Sequence, residues 1–427
     1  MQLFWRRINI ASDNEYPLSG YRVLDLTDDK GYLCGRILAE LGADVIKIEP
    51  PAGDSGRKTT PFYHNEPDPQ KSLYWFAYNA DKRGITLNLE ATEGRDLFLR
   101  LVQKSDVIIE SFAPGYLRKL ELDYAHLSPK FPCIILASIT PFGQDSQWKE
   151  YSASDLVGAA LGGMMYLLGD PDREPLCIGA PQSYLHASGE AAVGTLIALY
   201  HREVTGEGQH VDCSMMASWL SSTANSIPFW ELNQRLICRA GIYRTSTVAG
   251  VRVRQIWRCK DGHIALALLG GGFGAKTNRA LVDWMEELGE GDEFLNKFDW
   301  EGFDFACTTQ ELQDKIEAKF EKFLARRTLS GLFQKAVEKG MQVGPVLAPR
   351  DLIDNPHLKA RGFWQEVEHP ELDASIVYPG PCVRFSETAA KPIRRAPLIG
   401  EHNEEVYQGE LGISSQEFER LKKKGII

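Results

Sequence analysis

The stretch IGAPQSYLHASGEAAVGTLIALYHREVTG covers residues 178–206. A turn holding Gly179 and Pro181 runs into a long apolar helix. Such a turn is where enzymes mount a nucleophile or bind an anion, because the first backbone N–H groups of the helix point outward. The side chains offered are Gln182, Ser183, Tyr184 and Leu185, with His186 after them. None is a carboxylate. The nearest acids in sequence are Glu190, inside the helix, and Asp172 and Glu174, before the turn. No GxSxG elbow gives a serine nucleophile its strained turn. A lone His186 reads as a surface or satisfied histidine.

Other stretches carry charge near strand ends. Lys82 and Arg83 open the strand in NADKRGITLNL. The pair is either a phosphate or carboxylate clamp or a charged device that protects a sheet edge. SFAPGYLRKL (111–120) follows another strand, where open α/β sheets bind ligands. There Phe112 offers a face for a purine, and Arg118 or Lys119 a charge for phosphate; the alternative is a Pro-Gly turn with Phe112 in the core. Glu49 closes the second strand, as in dinucleotide sites, but the loop TDDKGYLCG lacks GxGxxG. GGGFG (270–274) lacks the third glycine and reads as a flexible loop. The nine histidines are scattered without metal spacing, and His402 in IGEHNEE is expected to orient the tail. The eight cysteines form no CxxC pair and no zinc pattern. No metal is expected.

These residues are positioned by a regular alternation. YRVLDLT, DVIKI, ITLNL, DVIIES, CIILASI and HVDCSM read as strands, separated by helices near 33–42, 90–105 and 190–203. Strand–helix–strand units at this spacing build a parallel sheet. A further helix is expected over 215–233, then a hairpin over 254–268 turning at Asp261-Gly262. Short strands WQEVEH, IVYPG and VRFSET precede a final helix, SSQEFERLKKKG. The fold class is α/β, a large open Rossmann-like domain with a smaller α+β domain.

With 427 residues, two or three domains are expected. Net charge is −10, which argues against nucleic acid as the main partner. The N-terminal MQLFWRRINIASDNE has no long apolar core, and no run suits a membrane span. A cytoplasmic protein with reduced thiols is expected.

Taken together, VLDLT, LGADVIKIEPPAGD, NADKRGITLNL, DVIIESFAPG, ILASITPFGQ, HREVTGEGQHVD, CKDG, GPVLAPRDLIDNPHLKARGF and APLIGEHNEEV resemble the class III CoA-transferases. That group includes formyl-CoA and carnitine CoA-transferases and methylacyl-CoA racemases. The resemblance runs from about residue 20 to 427. It implies a large domain built from both chain ends, 1–222 with 345–427, and a small inserted domain, 223–344. It also implies two subunits threaded through each other like linked rings.

The family's mechanism is implied with it. An aspartate attacks the acyl-CoA carbonyl to give a mixed anhydride. CoA then forms an aspartyl thioester, which the acceptor carboxylate resolves. In the racemases the same aspartate works as acid and base. Family members carry it in GxPxxD, ahead of the long helix that ends HRxxTGxGQ. Alignment back from HREVTGEGQ places Tyr184 there, and alignment from Gly189 places Leu185. No catalytic residue is therefore expected on this chain. Lys82, Arg83, Ser111, Phe112, Lys119 and Thr140 match CoA-contacting positions, with Ser111 where asparagine is usual and Lys119 where arginine is usual. The loop DDKGYLCG departs from the usual AGP-type loop and is one residue shorter.

The resemblance thus implies a non-catalytic subunit of a heteromeric CoA-transferase, interlinked with an active paralogue. Its substrates would be a CoA thioester, such as succinyl-CoA, and a small organic acid, such as the aromatic succinates of anaerobic aromatic degradation. Two alternatives are a self-sufficient homodimeric transferase or isomerase using Glu190 or His186, and a CoA-binding structural protein.

Overall fold

The computed structural model describes residues 16–246, 250–304, 307–388 and 391–427. The stretch MQLFWRRINIASDNE, read above as carrying no leader, lies outside them. The elements run β1 (Arg22–Leu26), α1 (Tyr32–Glu40), β2 (Asp44–Glu49), α2 (Leu73–Asn79), β3 (Arg83–Thr86), α3 (Thr92–Val102), β4 (Val107–Glu110), α4 (Tyr116–Lys119) and α5 (Tyr124–Leu127). Next come β5 (Ile135–Thr140), α6 (Asp155–Leu161), α7 (Met164–Leu167), α8 (Ser183–Thr205), β6 (His210–Ser214) and α9 (Met215–Thr223).

The six strands form one parallel sheet in the order β3-β2-β1-β4-β5-β6. Burial on both faces explains the near-continuous apolar runs of β1, β2, β4 and β5, while the edge strand β6 is largely exposed. Along β1, Leu24 and Leu26 pack with Phe98 and Leu101 of α3, while Val23 turns to Leu38 of α1 and Ala191 of α8. This alternation is the strand's two-residue period.

The chain divides into two compact units. The first holds the residues up to Gly162, Ile178–Ser222 and Pro356–Ile427; the second holds Gly163–Cys177 and Thr223–Asn355. The second unit therefore takes in α7 and the residues up to Asn355.

In the second unit, α10 (Ser226–Asn233) precedes the antiparallel pair β7 (Tyr243–Thr245) and β8 (Arg252–Arg254). A three-stranded sheet joins β9 (Ile256–Cys259), β10 (Gly262–Ala265) and β11 (Gly344–Pro345) in the order β11-β10-β9. Helices α11 (Gly271–Glu287), α12 (Glu293–Lys297), α13 (Gln310–Leu324) and α14 (Leu329–Lys339) close it around Trp257, Trp300 and Phe320. A short α15 (Pro349–Ile353) ends this unit. The first unit resumes with α16 (Pro356–Ala360), the hairpin β12 (Trp364–His369) and β13 (Ala374–Pro379), a π-helical turn at Glu404–Glu410, and α17 (Ser415–Lys423).

Four local expectations are corrected. The helix expected over 215–233 is two helices, because Pro228 has no N–H to continue the α9 ladder and its ring suits a first turn. The β9–β10 turn is Lys260-Asp261, since Cys259 pairs with Gly262. GGGFG is no loop: α11 begins within it. A Cβ on Gly270 would lie 2.1 Å from the Phe303 carbonyl oxygen, and one on Gly274 1.8 Å from that of Leu269. Close packing, not flexibility, requires these glycines. VRFSET forms no strand, for β12 and β13 pair only with each other.

Candidate functional site

The strand order reverses between β1 and β4, and a ligand crevice opens where such a sheet's connections part. The loops Thr27–Lys30, after β1, and 111–115, after β4, border that crevice. They are bonded to each other. Ser111 Oγ donates to Asp28 Oδ1 at 2.7 Å and accepts from Asp28 N at 2.8 Å. Asp28 also pairs with Lys30. Helix α8 reaches the same place: Ser188 Oγ donates to the Lys30 carbonyl at 2.9 Å.

The N-terminus of α8 is capped from outside. Asp155 Oδ1 accepts from Tyr184 N at 3.1 Å, and Ser183 Oγ donates to the Asp155 carbonyl at 2.7 Å. Trp219 Nε1 donates to Ser183 Oγ at 2.7 Å. A carboxylate here takes an orphan backbone donor and lies at the positive end of the helix dipole.

Tyr184 and Leu185, both carried forward from the sequence, point to different surroundings. Tyr184 is half-buried against the core face that holds Leu38 and Ala187. Burial, and next the Asp29 carboxylate, push its phenol up to about 12. Tyr74 of α2 feels Asp29 and Tyr184 and is also raised, mainly by burial. Leu185 instead lines a groove of about 1080 Å³ with His186, Glu190, Val193 and Phe385. His186 packs its ring 4.5 Å from that of Trp219, and Glu190 accepts from Ser221 Oγ at 3.4 Å. The two substitutes weighed from the sequence thus border the groove, while Tyr184 answers to the acidic loop. A phenol titrating near 12 stays protonated at neutral pH and is a poor nucleophile.

Sequence reasoning missed Asp29. Burial raises its carboxyl to about 6, with Asp28 beside it adding to the shift. The available signal was the shortened loop with adjacent Asp28 and Asp29. Glu110, at the end of β4, was missed as well. Burial pushes it up to about 7, although Phe112 N donates to its Oε2 at 2.7 Å. It lines a pocket of about 360 Å³ with Arg118, Ser138, Gln144 and His210.

Lys82 and Arg83 are not free cations. Lys82 Nζ donates to Asp25 Oδ2 at 2.8 Å, Tyr32 O at 2.9 Å and Asn79 Oδ1 at 2.8 Å, which uses all three protons. Lys82, Asp25 and Lys47 are fully buried, with Lys47 Nζ 3.7 Å from Asp25 Oδ1. Burial opposes charge on Asp25, yet Lys82 and Lys47 hold its carboxyl below the usual range. Arg83 binds Asp44 Oδ2, Glu405 Oε1 and Glu410 Oε1 at 2.6–2.7 Å. Two of these acids lie in the C-terminal π-helical turn. His402 Nδ1 accepts from Gly84 N at 3.1 Å, and the backbone N–H of His402 donates to the Gly84 carbonyl at 2.9 Å, which ties this part of the tail to β3. Glu49, weighed as a ribose ligand, makes a bidentate pair with Arg57 at 2.6 and 2.7 Å.

The remaining candidates are dispersed. Phe112 lies tilted against Tyr116, ring centroids 4.5 Å apart, and packs on the core. Lys119 is exposed on α4. Thr140 is buried and accepts from Gly143 N at 3.0 Å. The crevice therefore brings together Ser111, Tyr184 and the missed Asp28 and Asp29, but neither Lys82 nor Arg83. Of the cations matched to CoA contacts, Lys82 and Arg83 are committed to carboxylates, whereas Lys119 is exposed. Among the described residues, no group of three or more His, Cys, Asp or Glu is arranged to hold a metal ion, and no helix is long and apolar enough to cross a membrane. All eight cysteines are free thiols.

Comparison with known proteins gives the site its context. The chain is 36% identical over 412 residues to succinyl-CoA:(R)-benzylsuccinate CoA-transferase subunit BbsE of Thauera aromatica, covering 96% of this chain and 98% of that one. It is 31% identical to succinyl-CoA:mesaconate CoA-transferase of Haloarcula marismortui, over 91% of this chain and 95% of the relative. A solved CAIB/BAIF family protein from Brucella suis superposes with a TM-score of 0.77 at 29% identity, covering 93% of this chain and 99% of that one. The family described as CoA-transferase family III matches residues 18–403, and the chain is a member of that family.

Proposed function

We propose that this chain is the non-catalytic subunit of a heteromeric class III CoA-transferase. The assembly moves CoA from an acyl-CoA, such as succinyl-CoA, to an organic acid, such as an aromatic succinate. The observation that carries the reading is the turn before α8, where the family's nucleophile is expected and the chain offers Tyr184, a protonated phenol, or Leu185. The likeness to a protein described as a subunit, BbsE, supports it. An active paralogue supplies the carboxylate in this reading.

An exposed stripe on α8 supports a partner chain. Val193, Ile197, Tyr200 and Val204 are 53%, 62%, 73% and 67% exposed. Spacings of four, three and four residues put them on one helix face. A contiguous apolar face of this kind marks an interaction surface.

The test is native mass after co-expression with the paralogue, with succinyl-CoA transfer assayed on every species. The reading expects transfer only by the mixed complex, abolished when the paralogue's aspartate is replaced. An active homodimer of this chain would overturn it. One observation favours that second reading: Asp29 titrates near 6 and acts on Tyr184, so a carboxylate is offered from a different loop. Asp29→Asn in the lone chain separates the two, since only the second reading has activity for it to lose.

A further inference from the structure

The second unit contains a cavity of about 920 Å³ that no step above uses. Its walls come from α10, the segment 235–241, the β7–β8 pair and the exit of β10. Phe229, Leu236, Tyr243, Val253, Ala267 and Leu269 make most of its surface apolar. Polar groups are few and placed: Asn225, Ser226, Thr245, Gln255 and two guanidinium groups, Arg235 and Arg244. Ser226 Oγ is buried with no hydrogen-bond partner among the described residues. Arg244 is exposed at the rim. Among the described residues its guanidinium makes no hydrogen bond or ion pair.

An apolar chamber with a few convergent polar groups is the usual form of a small-molecule site. Its chemistry selects the ligand class. The walls want an aryl or branched hydrocarbon body. The rim arginine wants a carboxylate, which its planar fork binds through charge-assisted hydrogen bonds. Among the described residues, the cations of its lining are Arg235 and Arg244. We propose that this cavity binds the organic acid that accepts CoA, through an arylalkyl body in the chamber and a carboxylate at Arg244. The assignment of that acid as the acceptor rests on the transferase reading above; the binding itself does not.

The test is calorimetric titration of the purified full chain with three probes: (R)-benzylsuccinate, succinate and 3-phenylpropanamide. The first has body and carboxylates, the second lacks the body, and the third lacks the charge. Benzylsuccinate is expected to bind most tightly. Arg244→Gln should weaken it about tenfold, the loss of one charge-assisted bond, and leave the amide unchanged. Ala267→Phe should fill the chamber and abolish binding of both aryl probes. Circular dichroism melts confirm that each variant folds. In the co-expressed complex, Arg244→Gln should raise the KM for the acid with little change in kcat, which a purely structural arginine would not do. Benzylsuccinate binding that survives both substitutions, or no binding together with an unchanged KM, would overturn the site. An inactive complex with intact titrations would instead refute the transferase reading.

Discussion

Lys82→Met separates an interior ion from a ligand contact. The substitution keeps the length of the stem but removes the ammonium that binds Asp25, Tyr32 O and Asn79. Asp25 then keeps Lys47 at 3.7 Å and the Thr27 hydroxyl, which donates to its Oδ1 at 2.6 Å. Removing one partner of a buried pair costs about 3–5 kcal/mol. The second lysine and the threonine bond place this case at the lower end, about 3 kcal/mol. With a urea slope of about 1–3 kcal/mol/M, the midpoint should fall by on the order of 1 M. Asp25→Asn should cost a similar amount, and the double variant clearly less than the sum, because each single change strands the other partner's charge and the double change removes both. Urea unfolding followed by tryptophan fluorescence measures all three. A Lys82→Met chain that unfolds like the parent but no longer binds CoA would refute the reasoning and restore Lys82 as a ligand.

Three further outcomes are expected. Asp29→Asn should stabilise the chain at pH 7 and leave it unchanged at pH 4. The folded carboxyl titrates near 6 and the unfolded one near 3.8, so its penalty is absent below the lower value and complete above the higher. The two-unit gap corresponds to about 3 kcal/mol, and partial exposure screens this to about 1–2 kcal/mol; melts across pH 4–8 check it. Gly35→Ala should destabilise the first unit, since its Cβ would stand 2.3 Å from Asp25 Oδ2 and 3.0 Å from Lys82 Nζ. Hydrogen exchange should show the loss around α1. Asp292→Ala should cost the second unit about 1–2 kcal/mol, because Asp292 caps Phe294 N and Leu295 N at 3.1 Å and also pairs with Lys319. An unchanged unfolding midpoint would refute that.

The parallel sheet was legible because β1 to β5 are buried on both faces and each parallel crossover needs a helix. β2 and β5 fall almost where the apolar runs put them. The glycine run at 270–274 was misjudged because glycine signals both freedom and close packing, and only neighbours such as the Phe303 carbonyl distinguish them. Lys82 shows the same limit. A basic residue at a strand start looks identical whether solvent or Asp25 lies beside it.

The sequence by itself determined the alternation of strands and helices, the family likeness, and the lack of a carboxylate at the turn before α8. These are written in local periods and in residue types at fixed spacings. Tertiary structure alone decided that Tyr184, not Leu185, answers to Asp29, and that Lys82 spends all its protons inside. It also decided that Glu190 borders another groove. Those facts depend on residues dozens to hundreds of positions apart, and their charges and packing meet only when the strand order and the wrapped C-terminal tail bring them together.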